Sequence, residues 1–136
     1  MSAMADPRFA YDSVELDVVL AEHRTVVTAD EIEAFRRLLG YPPTAPGQVA
    51  VAPTSMGLTY GLRLGWEHDI FAPGVVRMGD EDRFGVPARA GDALVTRLRV
   101  VERFERKGRR FLKYEMRTHN QRAELVCEVV FAAIQP

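Results

Sequence analysis

Cysteine is almost absent from this 136-residue chain, in which Cys127 is the single example. One thiol cannot form a disulfide framework, so the composition suits a protein of the reducing cytoplasm. Cys127 lies in the apolar run Leu125–Val129, and no residue near it in sequence would stabilise a thiolate. We therefore interpret Cys127 as a small core residue and not as a nucleophile.

Long hydrophobic runs are also missing. No segment approaches membrane-spanning length, and the first residues lack the apolar stretch of a signal peptide, so no membrane association is expected. A chain of 136 residues, 47% of them hydrophobic, can bury one core and no more. The sequence therefore predicts a disordered or loosely attached tail over residues 1–12 and a single domain over residues 13–136.

Neither sign of charge dominates, because 18 basic and 19 acidic residues are interleaved and leave a net charge of -1. Such a chain lacks the long-range field that would attract nucleic acid. The one dense basic cluster surrounds Gly108 and contains Arg103, Arg106, Lys107, Arg109 and Arg110. We interpret it as the solvated tip of a hairpin, and the alternative is a docking patch for an anionic carrier or coenzyme.

Local patterns predict the first elements of structure. Val14–Leu20 alternates well enough to be an opening strand or an extended arm. Thr28 and Glu31 form a capping box that begins a short amphipathic helix over residues 29–39, and Gly40 is placed to end it in the left-handed conformation. The three prolines of residues 41–47 then exclude a helix and predict a rigid loop.

The segment Pro53–Gly65 fits two kinds of structure. Its apolar residues alternate as they would in a strand. However, Gly57, Gly61 and Gly65 repeat every fourth residue and would share one face of a helix. The local pattern alone leaves both possibilities open.

The rest of the chain has the pattern of a sheet. Apolar residues alternate with polar or opposite-face residues over four segments, at 75–84, 92–104, 110–118 and 123–134. Lys107-Gly108 and Asn120-Gln121 supply turns between the last three segments. The predicted order is therefore a strand, a short helix, a loop, an ambiguous segment and four strands.

The turn that follows the first of these four segments carries the most specific signal. Gly85–Leu94 contains Pro87-Ala88-Arg89-Ala90-Gly91-Asp92, which leads into a long alternating strand. This motif resembles the MaoC-like acyl dehydratases and (R)-specific enoyl-CoA hydratases. The resemblance implies an α+β fold, a single hotdog in which a strongly curved antiparallel β-sheet wraps a long central helix. It also implies that Pro53–Gly65 is that helix, with Thr54 or Ser55 as its N-cap.

The same resemblance implies a reaction whose residues are missing. MaoC-like hydratases carry Gly-Asp-x-Asn-Pro-x-His after the first helix, and the Asp and His transfer protons through one water molecule. In this chain Gly40 is followed by Tyr41-Pro42-Pro43-Thr44-Ala45. Many hotdog thioesterases use a carboxylate on the central helix, yet residues 53–66 contain none. Neither catalytic pattern can be transferred to this chain.

Three interpretations remain open. The chain is a catalytically silent subunit that shapes the acyl tunnel of an active partner, an enzyme with a relocated site, or a binding protein for a hydrophobic metabolite. A relocated site would serve polyketide or other secondary metabolism as a dehydratase, cyclase or thioesterase, and the lineage implies a hydro-lyase. The implied partners are an acyl-CoA or acyl-carrier-protein thioester and a second hotdog subunit, in a homodimer or heterodimer. No cofactor and no metal are predicted.

Six residues are candidates for binding the substrate. They lie on the loop after the first helix or near the start of the central helix. The resemblance implies that backbone amides there, at Ser55-Met56-Gly57, meet the thioester carbonyl. They are Tyr41, Thr54, Ser55, Met56, Gly57 and Tyr60. For Gly57 the alternative is a role in helix packing alone.

A relocated catalytic site has three candidates, His68, Asp69 and Asp80. His68 follows the helix and could act as an acid or base oriented by Asp69, although a surface histidine is the commoner case. Asp80 and Asp82 would share one face of a strand, where two carboxylates can raise a pKa or bind a metal. A solvated strand edge is the simpler alternative for this pair. His23 and His119 are expected to be exposed.

Overall fold

Two α-helices and five strands form the computed structural model, which describes residues 6–136. The helices are α1 (Ala29–Leu38) and α2 (Leu58–Glu67), and a 3₁₀ turn at Thr54–Gly57 leads directly into α2. No helix within the described residues is both long and apolar enough to cross a membrane. The strands are β1 (Ala21–Val26), β2 (Val76–Phe84), β3 (Ala93–Arg106), β4 (Arg109–His119) and β5 (Leu125–Ile134).

The five strands form one antiparallel sheet in the order β1-β3-β4-β5-β2. Side chains alternate along β3, β4 and β5, so that one face of the sheet is buried and the other is largely exposed or half-buried. The buried face, called the inner face below, packs against α2. It carries Leu98, Tyr114, Met116, Val129 and Phe131. This is the α+β arrangement that the sequence predicts.

Glycine lines the side of α2 that meets the sheet. Gly57, Gly61 and Gly65 are all buried. A β-carbon at Gly57 would lie 3.1 Å from Cβ of Cys127, and one at Gly61 would lie 2.8 Å from Sδ of Met116. Such spacing is too short for most side chains, so the repeat of glycine lets the helix backbone approach the sheet closely. Helix and not strand is therefore the structure of this segment.

The first helix begins and ends as predicted. Thr28 is the N-cap, and its hydroxyl accepts a hydrogen bond from the amide of Glu31 at 3.2 Å. Gly40 follows the helix in the left-handed conformation, with φ of 77°. The Glu31 carboxylate lies 4.0 Å from the Arg63 guanidinium. Half of the predicted capping box is therefore formed, because the Glu31 carboxylate lies toward Arg63 and, within the described residues, accepts no hydrogen bond from the Thr28 amide.

The first strand starts later than predicted. Val14–Leu20 is not a strand, because a turn forms at Asp17, whose φ is 60°. The amides of Asp17 and Leu20 still donate to carbonyls of β3, each at 2.9 Å. The regular ladder begins at Ala21, where β1 pairs with β3. Hydrophobic alternation could not reveal the turn, because Asp17 falls on a polar position of the pattern.

Part of the predicted N-terminal tail packs on the domain. Residues 1–5 of that tail lie outside the described residues. Pro7–Phe9 forms a short 3₁₀ turn, whose N-cap Asp6 accepts a hydrogen bond from the Arg8 amide. Phe9 is 3% exposed and belongs to the core. The folded part of the chain therefore includes residues that were predicted to be loosely attached.

The last four strands lie within two residues of the predicted ranges. Lys107 and Gly108 form the hairpin turn between β3 and β4, with φ of 51° and 72°. The connection after β4 is longer than a two-residue turn. It is closed by the Asn120 side chain, whose oxygen accepts the amides of Arg122 and Glu124 at 2.9 and 3.1 Å.

Candidate functional site

A small cavity opens where the chain enters the central helical segment. Its volume is about 150 Å³. Pro53, Thr54 and Gly57 form one side of it, and Phe84–Ala88 with Val126 form the other. Most of these side chains are apolar. The cavity therefore suits a small apolar group that carries a polar atom toward the helix.

The start of the helical segment provides hydrogen-bond donors beside this cavity. The amides of Thr54 and Ser55 come first in the helix and have no intrahelical acceptor, and no described side chain caps this end. The amide of Met56, by contrast, donates to the Pro53 carbonyl at 3.0 Å. The partial positive charge of a helix start adds to the two free donors. Together they can polarise a carbonyl oxygen or bind an anionic group.

The Pro-x-Arg-Ala-Gly-Asp turn holds the opposite side of the cavity in place. Asp92 is buried, and its carboxylate accepts the Arg89 amide at 2.9 Å. Gly91 takes the left-handed conformation that this turn requires, with φ of 91°. The Ala88 carbonyl accepts the Ala52 amide at 2.8 Å. The motif therefore aligns the segment that leads into the helix with the wall that faces it.

A second cavity, of about 200 Å³, lies further along α2. Arg77 and Asp80 form its polar part, and the guanidinium donates two hydrogen bonds to the carboxylate at 2.7 and 2.6 Å. The guanidinium carbon also lies 4.1 Å from the centroid of the Phe131 ring. The remaining lining is apolar and consists of Leu58, Gly61, Leu62, Phe71, Met116, Val129 and Phe131.

A β-bulge brings Arg77 and Asp80 together. Residues three apart on a regular strand would point to opposite faces of the sheet. The register of β2 shifts between Met78 and Asp80, where Gly79 has a φ of 58°. After the bulge, Asp80 and Asp82 both stand opposite inner-face residues of β5. Their common face agrees with the prediction, and the guanidinium beside them was not foreseen.

Two ionisable groups near the cavities have shifted pKa values. Partial removal from water is the main cause that raises the pKa of Asp82, and the charge of Asp80 adds to it. Burial also raises the pKa of the Cys127 thiol to about 11. Cys127 therefore stays a neutral thiol at pH 7, in keeping with its interpretation as a core residue.

The structure brings two of the six predicted binding residues to the first cavity. Thr54 and Gly57 line it, and Ser55 is exposed between them in sequence. The Met56 side chain is 2% exposed and points into the core. The close approach of Gly57 to Cys127 favours the packing alternative for this glycine.

The two predicted tyrosines lie away from both cavities. Tyr60 is fully buried, and within the described chain its hydroxyl has no hydrogen-bond partner. Burial raises the pKa of Tyr60 to about 12. Tyr41 is 52% exposed after α1, where the Arg36 guanidinium lies 5.8 Å from its ring centroid. Neither tyrosine lines either of these two cavities, so their roles in binding stay predictions.

The predicted pair of His68 and Asp69 is not formed. His68 is the C-cap of α2, and its Nε2 donates to the Glu22 carbonyl at 3.1 Å. Asp69 is exposed and left-handed, with φ of 53°. Both residues follow the carboxyl end of α2, and neither lines one of the two cavities. Asp80 is thus the one predicted catalytic residue that borders a cavity.

The other two histidines are less exposed than predicted. His23 lies on β1, its side chain is 17% exposed, and its Nδ1 pairs with the Glu67 carboxylate. His119 is half-buried at the end of β4, and burial is the main cause that lowers its pKa. The prediction was wrong for both because the sequence does not show which neighbours pack over a strand residue.

The loop that lacks the Asp and His is tied to α1. The Arg36 guanidinium donates to the Pro42 carbonyl at 3.0 and 2.8 Å. The Glu33 carboxylate accepts the amide and the hydroxyl of Thr44. These hydrogen bonds connect both Pro42 and Thr44 of the loop to α1. Residues 41–45 contain no Asp, Glu or His that could serve as an acid or base near neutral pH.

Solved structures with the same architecture identify the fold. A MaoC-like dehydratase from Rhodospirillum rubrum is similar over 92% of this chain and 97% of its own, with a TM-score of 0.76 and 20% identity. The unliganded R-hydratase from Pseudomonas aeruginosa is similar over 94% of this chain and 86% of its own, with a TM-score of 0.73 and 19% identity. The HadBC complex of Mycobacterium tuberculosis, a 3R-hydroxyacyl-ACP dehydratase, is similar over 83% of this chain and 90% of its own, with a TM-score of 0.65 and 19% identity.

The chain therefore has a hotdog-like α+β fold, with a five-stranded antiparallel sheet and a central helix. Its structural neighbours are MaoC-like dehydratases and (R)-hydratases, which confirms the resemblance carried by the Pro87–Asp92 turn. No protein-family model matches the sequence, and no curated protein matches it. At 19 to 20% identity the likeness is one of fold, so activity has to be argued from the site.

Proposed function

We propose that this chain binds an acyl thioester with the carbonyl oxygen at the start of the central helical segment. The observation that carries the proposal is the cavity between Thr54 and Phe84–Ala88, beside amides that have no intrahelical acceptor. A thioester oxygen accepts hydrogen bonds and gains negative charge when the α-carbon loses a proton, so these donors match it. Structural neighbours named as dehydratases and hydratases support this class of ligand.

The acyl chain would extend from the first cavity along α2. Gly57 borders the first cavity, and Leu58 and Gly61 border the second. The two cavities thus lie beside neighbouring turns of one helical segment. The apolar lining of the second cavity suits a short acyl chain.

A second hotdog chain completes this tunnel in the proposal. Leu62 and Trp66 on α2 are 45% and 81% exposed, and Phe84 on β2 is 40% exposed. Apolar side chains in such number on neighbouring elements favour an interface. The partner is a second copy or a related subunit that carries the Asp and His. In the second case this chain is the silent half that accommodates the substrate.

The second candidate function is an enzyme with a relocated site. The observation that favours it is the Asp80 carboxylate, which borders an apolar cavity and is oriented by the Arg77 guanidinium. A carboxylate so placed could take a proton from an acyl chain in that cavity. The two hydrogen bonds from Arg77 already occupy lone pairs of the carboxylate oxygens that would have to accept the proton. We therefore rank this function second.

The test of the first function is calorimetry with crotonyl-CoA, a short enoyl thioester. Thr54→Pro removes one amide donor at the first position of the helix, where proline is tolerated. Pro53 has φ of -56° and ψ of 145°, which is compatible with a following proline. We expect the Kd to rise roughly tenfold, the loss of one hydrogen bond to a polarised oxygen.

Thr54→Ala is the matched control, because it removes the hydroxyl and keeps the amide. We expect its Kd to equal that of the unmodified chain, and both variants to keep their circular dichroism spectra. Equal binding by all three proteins would show that the carbonyl does not lie at Thr54. A Gly57→Val substitution is a poorer test, since its β-carbon would lie 3.1 Å from Cβ of Cys127 and disturb packing.

A further inference from the structure

The outer face of the sheet carries an apolar row at the end where β3 turns into β4. Phe104 stands opposite Phe111, and Phe111 stands opposite Ile134 on the next strand. Val76 of β2 extends this row by standing opposite Ile134. The neighbouring pair of Ala132 and Met78 widens it. These six residues, the outer stripe, are Val76, Met78, Phe104, Phe111, Ala132 and Ile134.

The outer stripe is accessible and forms a groove. Val76 and Met78 are 52% and 47% exposed. The rings of Phe104 and Phe111 stack in parallel, with centroids 4.9 Å apart. All members of the stripe except Val76 border a groove of about 550 Å³. An apolar groove of this size on the face that α2 does not cover indicates a surface for a partner.

Cations form one rim of this groove, at the hairpin tip. Arg106, Lys107 and Arg109 line it, and within the described residues none of the three forms an ion pair. The other two cations of the cluster are engaged elsewhere. Arg110 lies 3.5 Å from Asp12, and Arg103 donates to the Tyr11 carbonyl at 3.1 Å. The groove therefore combines an apolar floor with three cations that are free to meet carboxylates.

We infer that the outer stripe and the three rim cations dock an acidic amphipathic α-helix of a partner protein. Three strand-to-strand steps span roughly 14 Å, the length of about nine helical residues. An amphipathic helix would lay apolar residues spaced by three and four on the stripe, with carboxylates along the edge that faces the hairpin. The inference concerns the outer face and does not depend on the ligand proposed for the inner face.

Two other occupants fit the groove less well. A coenzyme would need polar partners for its base, and the groove floor contains apolar side chains. A second copy of this chain would need free carboxylates to meet the rim cations. On this outer face of the described chain, Glu128 pairs with Arg83 and Arg117, and Glu115 pairs with Arg117. A second copy would therefore offer Glu81 and Glu102, two carboxylates, to the three rim cations. Charge complementarity thus favours an acidic helix.

The test uses two fluorescent helical peptides of equal length, with the same leucine spacing and with either Glu or Lys at the flanking positions. Fluorescence anisotropy at low salt should show the Glu peptide binding at least tenfold more tightly than the Lys peptide. Arg106→Glu combined with Arg109→Glu should weaken it roughly tenfold. Met78→Ala combined with Val76→Ala should weaken it about threefold, as apolar contact is lost.

The matched control is Arg37→Glu combined with Arg99→Glu, which changes the net charge equally at exposed sites outside the groove. It should leave Glu-peptide binding within twofold of the unmodified chain, and 0.5 M salt should weaken binding. Equal losses in both charge variants would overturn the proposal. So would displacement of the peptide by coenzyme A, or a dimer mass in light scattering that Met78→Asp alone converts to a monomer.

Discussion

The two ends of the central helical segment differ in their surroundings. At the amino end, Thr54 borders a cavity, and the first amides have no intrahelical acceptor. At the carboxyl end, the His68 amide donates to the Leu64 carbonyl at 3.2 Å, and a β-carbon at Gly65 would lie 3.0 Å from the Phe71 ring. His68 and Asp69, two of the three ionisable candidates from the sequence, lie at this carboxyl end, called the closed end below. The groups that can donate hydrogen bonds to a carbonyl oxygen are backbone amides at the amino end, called the open end below.

The largest expected effect concerns catalysis. We expect the purified chain to hydrate crotonyl-CoA at least about a thousandfold more slowly than an (R)-hydratase, because residues 41–45 provide no acid or base. Absorbance of the enoyl thioester measures the rate. Asp80→Asn and His68→Ala should leave the residual rate unchanged. Fast hydration that Asp80→Asn abolishes would move the reaction to the second cavity and contradict the silent-subunit interpretation.

The next effect compares the stability cost of replacing one glycine beside the open end of the helical segment and one glycine near its closed end. A β-carbon at Gly85, on the wall of the first cavity, would lie 1.9 Å from the Leu125 carbonyl oxygen. Gly85→Ala should lower the free energy of unfolding by about 3 kcal/mol, since backbone has to move. Gly65→Ala should change it by no more than about 1 kcal/mol, because a movable ring is its neighbour and alanine favours helix. Urea unfolding measures both, and equal losses would show that the ends are packed alike.

A smaller effect tests the buried middle of α2. The pKa of Tyr60 is about 12 in the folded chain, above its ordinary value. As pH rises past 10, the unfolded chain loses this proton first, so the folded state should lose up to about 2 kcal/mol by pH 12. Tyr60→Phe should remove that part of the alkaline loss. It should change stability little at pH 7, because the Tyr60 hydroxyl has no partner within residues 6–136.

The loss of folding stability caused by ionisation of Cys127 serves as an internal reference in the same experiment. The pKa of the Cys127 thiol is about 11 in the folded chain, above its ordinary value of 9.0. The unfolded chain therefore loses this proton first, and both proteins should lose this part of their stability from about pH 9 upward. Identical pH dependence of unfolding for Tyr60→Phe and the unmodified chain would show that the phenol is hydrated and contradict its burial.

The smallest effect concerns the closed end. Asp69 is left-handed, with φ of 53°, which glycine adopts without strain. Asp69→Gly should therefore change the free energy of unfolding by less than about 1 kcal/mol. Its Kd for crotonyl-CoA should equal that of the unmodified chain in calorimetry. A tenfold change in Kd would place the ligand at the carboxyl end and remove the distinction between the two ends.

Most of the sheet and the first helix could be predicted because their signals are local. Thr28 and Gly40 bound α1 by capping chemistry, and the alternation of β3 to β5 follows from one buried face. The central helix needed the resemblance as well, since Pro53–Gly65 has the pattern of both a strand and a helix. The turn at Asp17 was missed because a single left-handed residue leaves no hydrophobic signal.

The site was harder to predict than the fold. The pairing of Arg77 with Asp80 depends on a bulge at Gly79, and a glycine inside a strand pattern was the available signal. Tyr60 was placed near a ligand by its position after Gly57, yet its face of the helix is buried. The resemblance placed the donating amides at Ser55-Met56-Gly57, whereas in the structure the Met56 amide bonds to Pro53 and the amides without an intrahelical acceptor are those of Thr54 and Ser55. Their cavity needed the long-range approach of Phe84–Ala88.

The most direct test of the account is a titration of the ¹⁵N-labelled chain with crotonyl-CoA, followed by amide resonances. Hydrogen bonding to a thioester oxygen should shift the Thr54 and Ser55 amide protons downfield by more than any other resonances in residues 6–136. The Asp69 amide should not move. Shifts centred on Asp69, or shifts around Asp80 with none at Thr54 and Ser55, would contradict the placement of the acyl thioester at the open end of the helix.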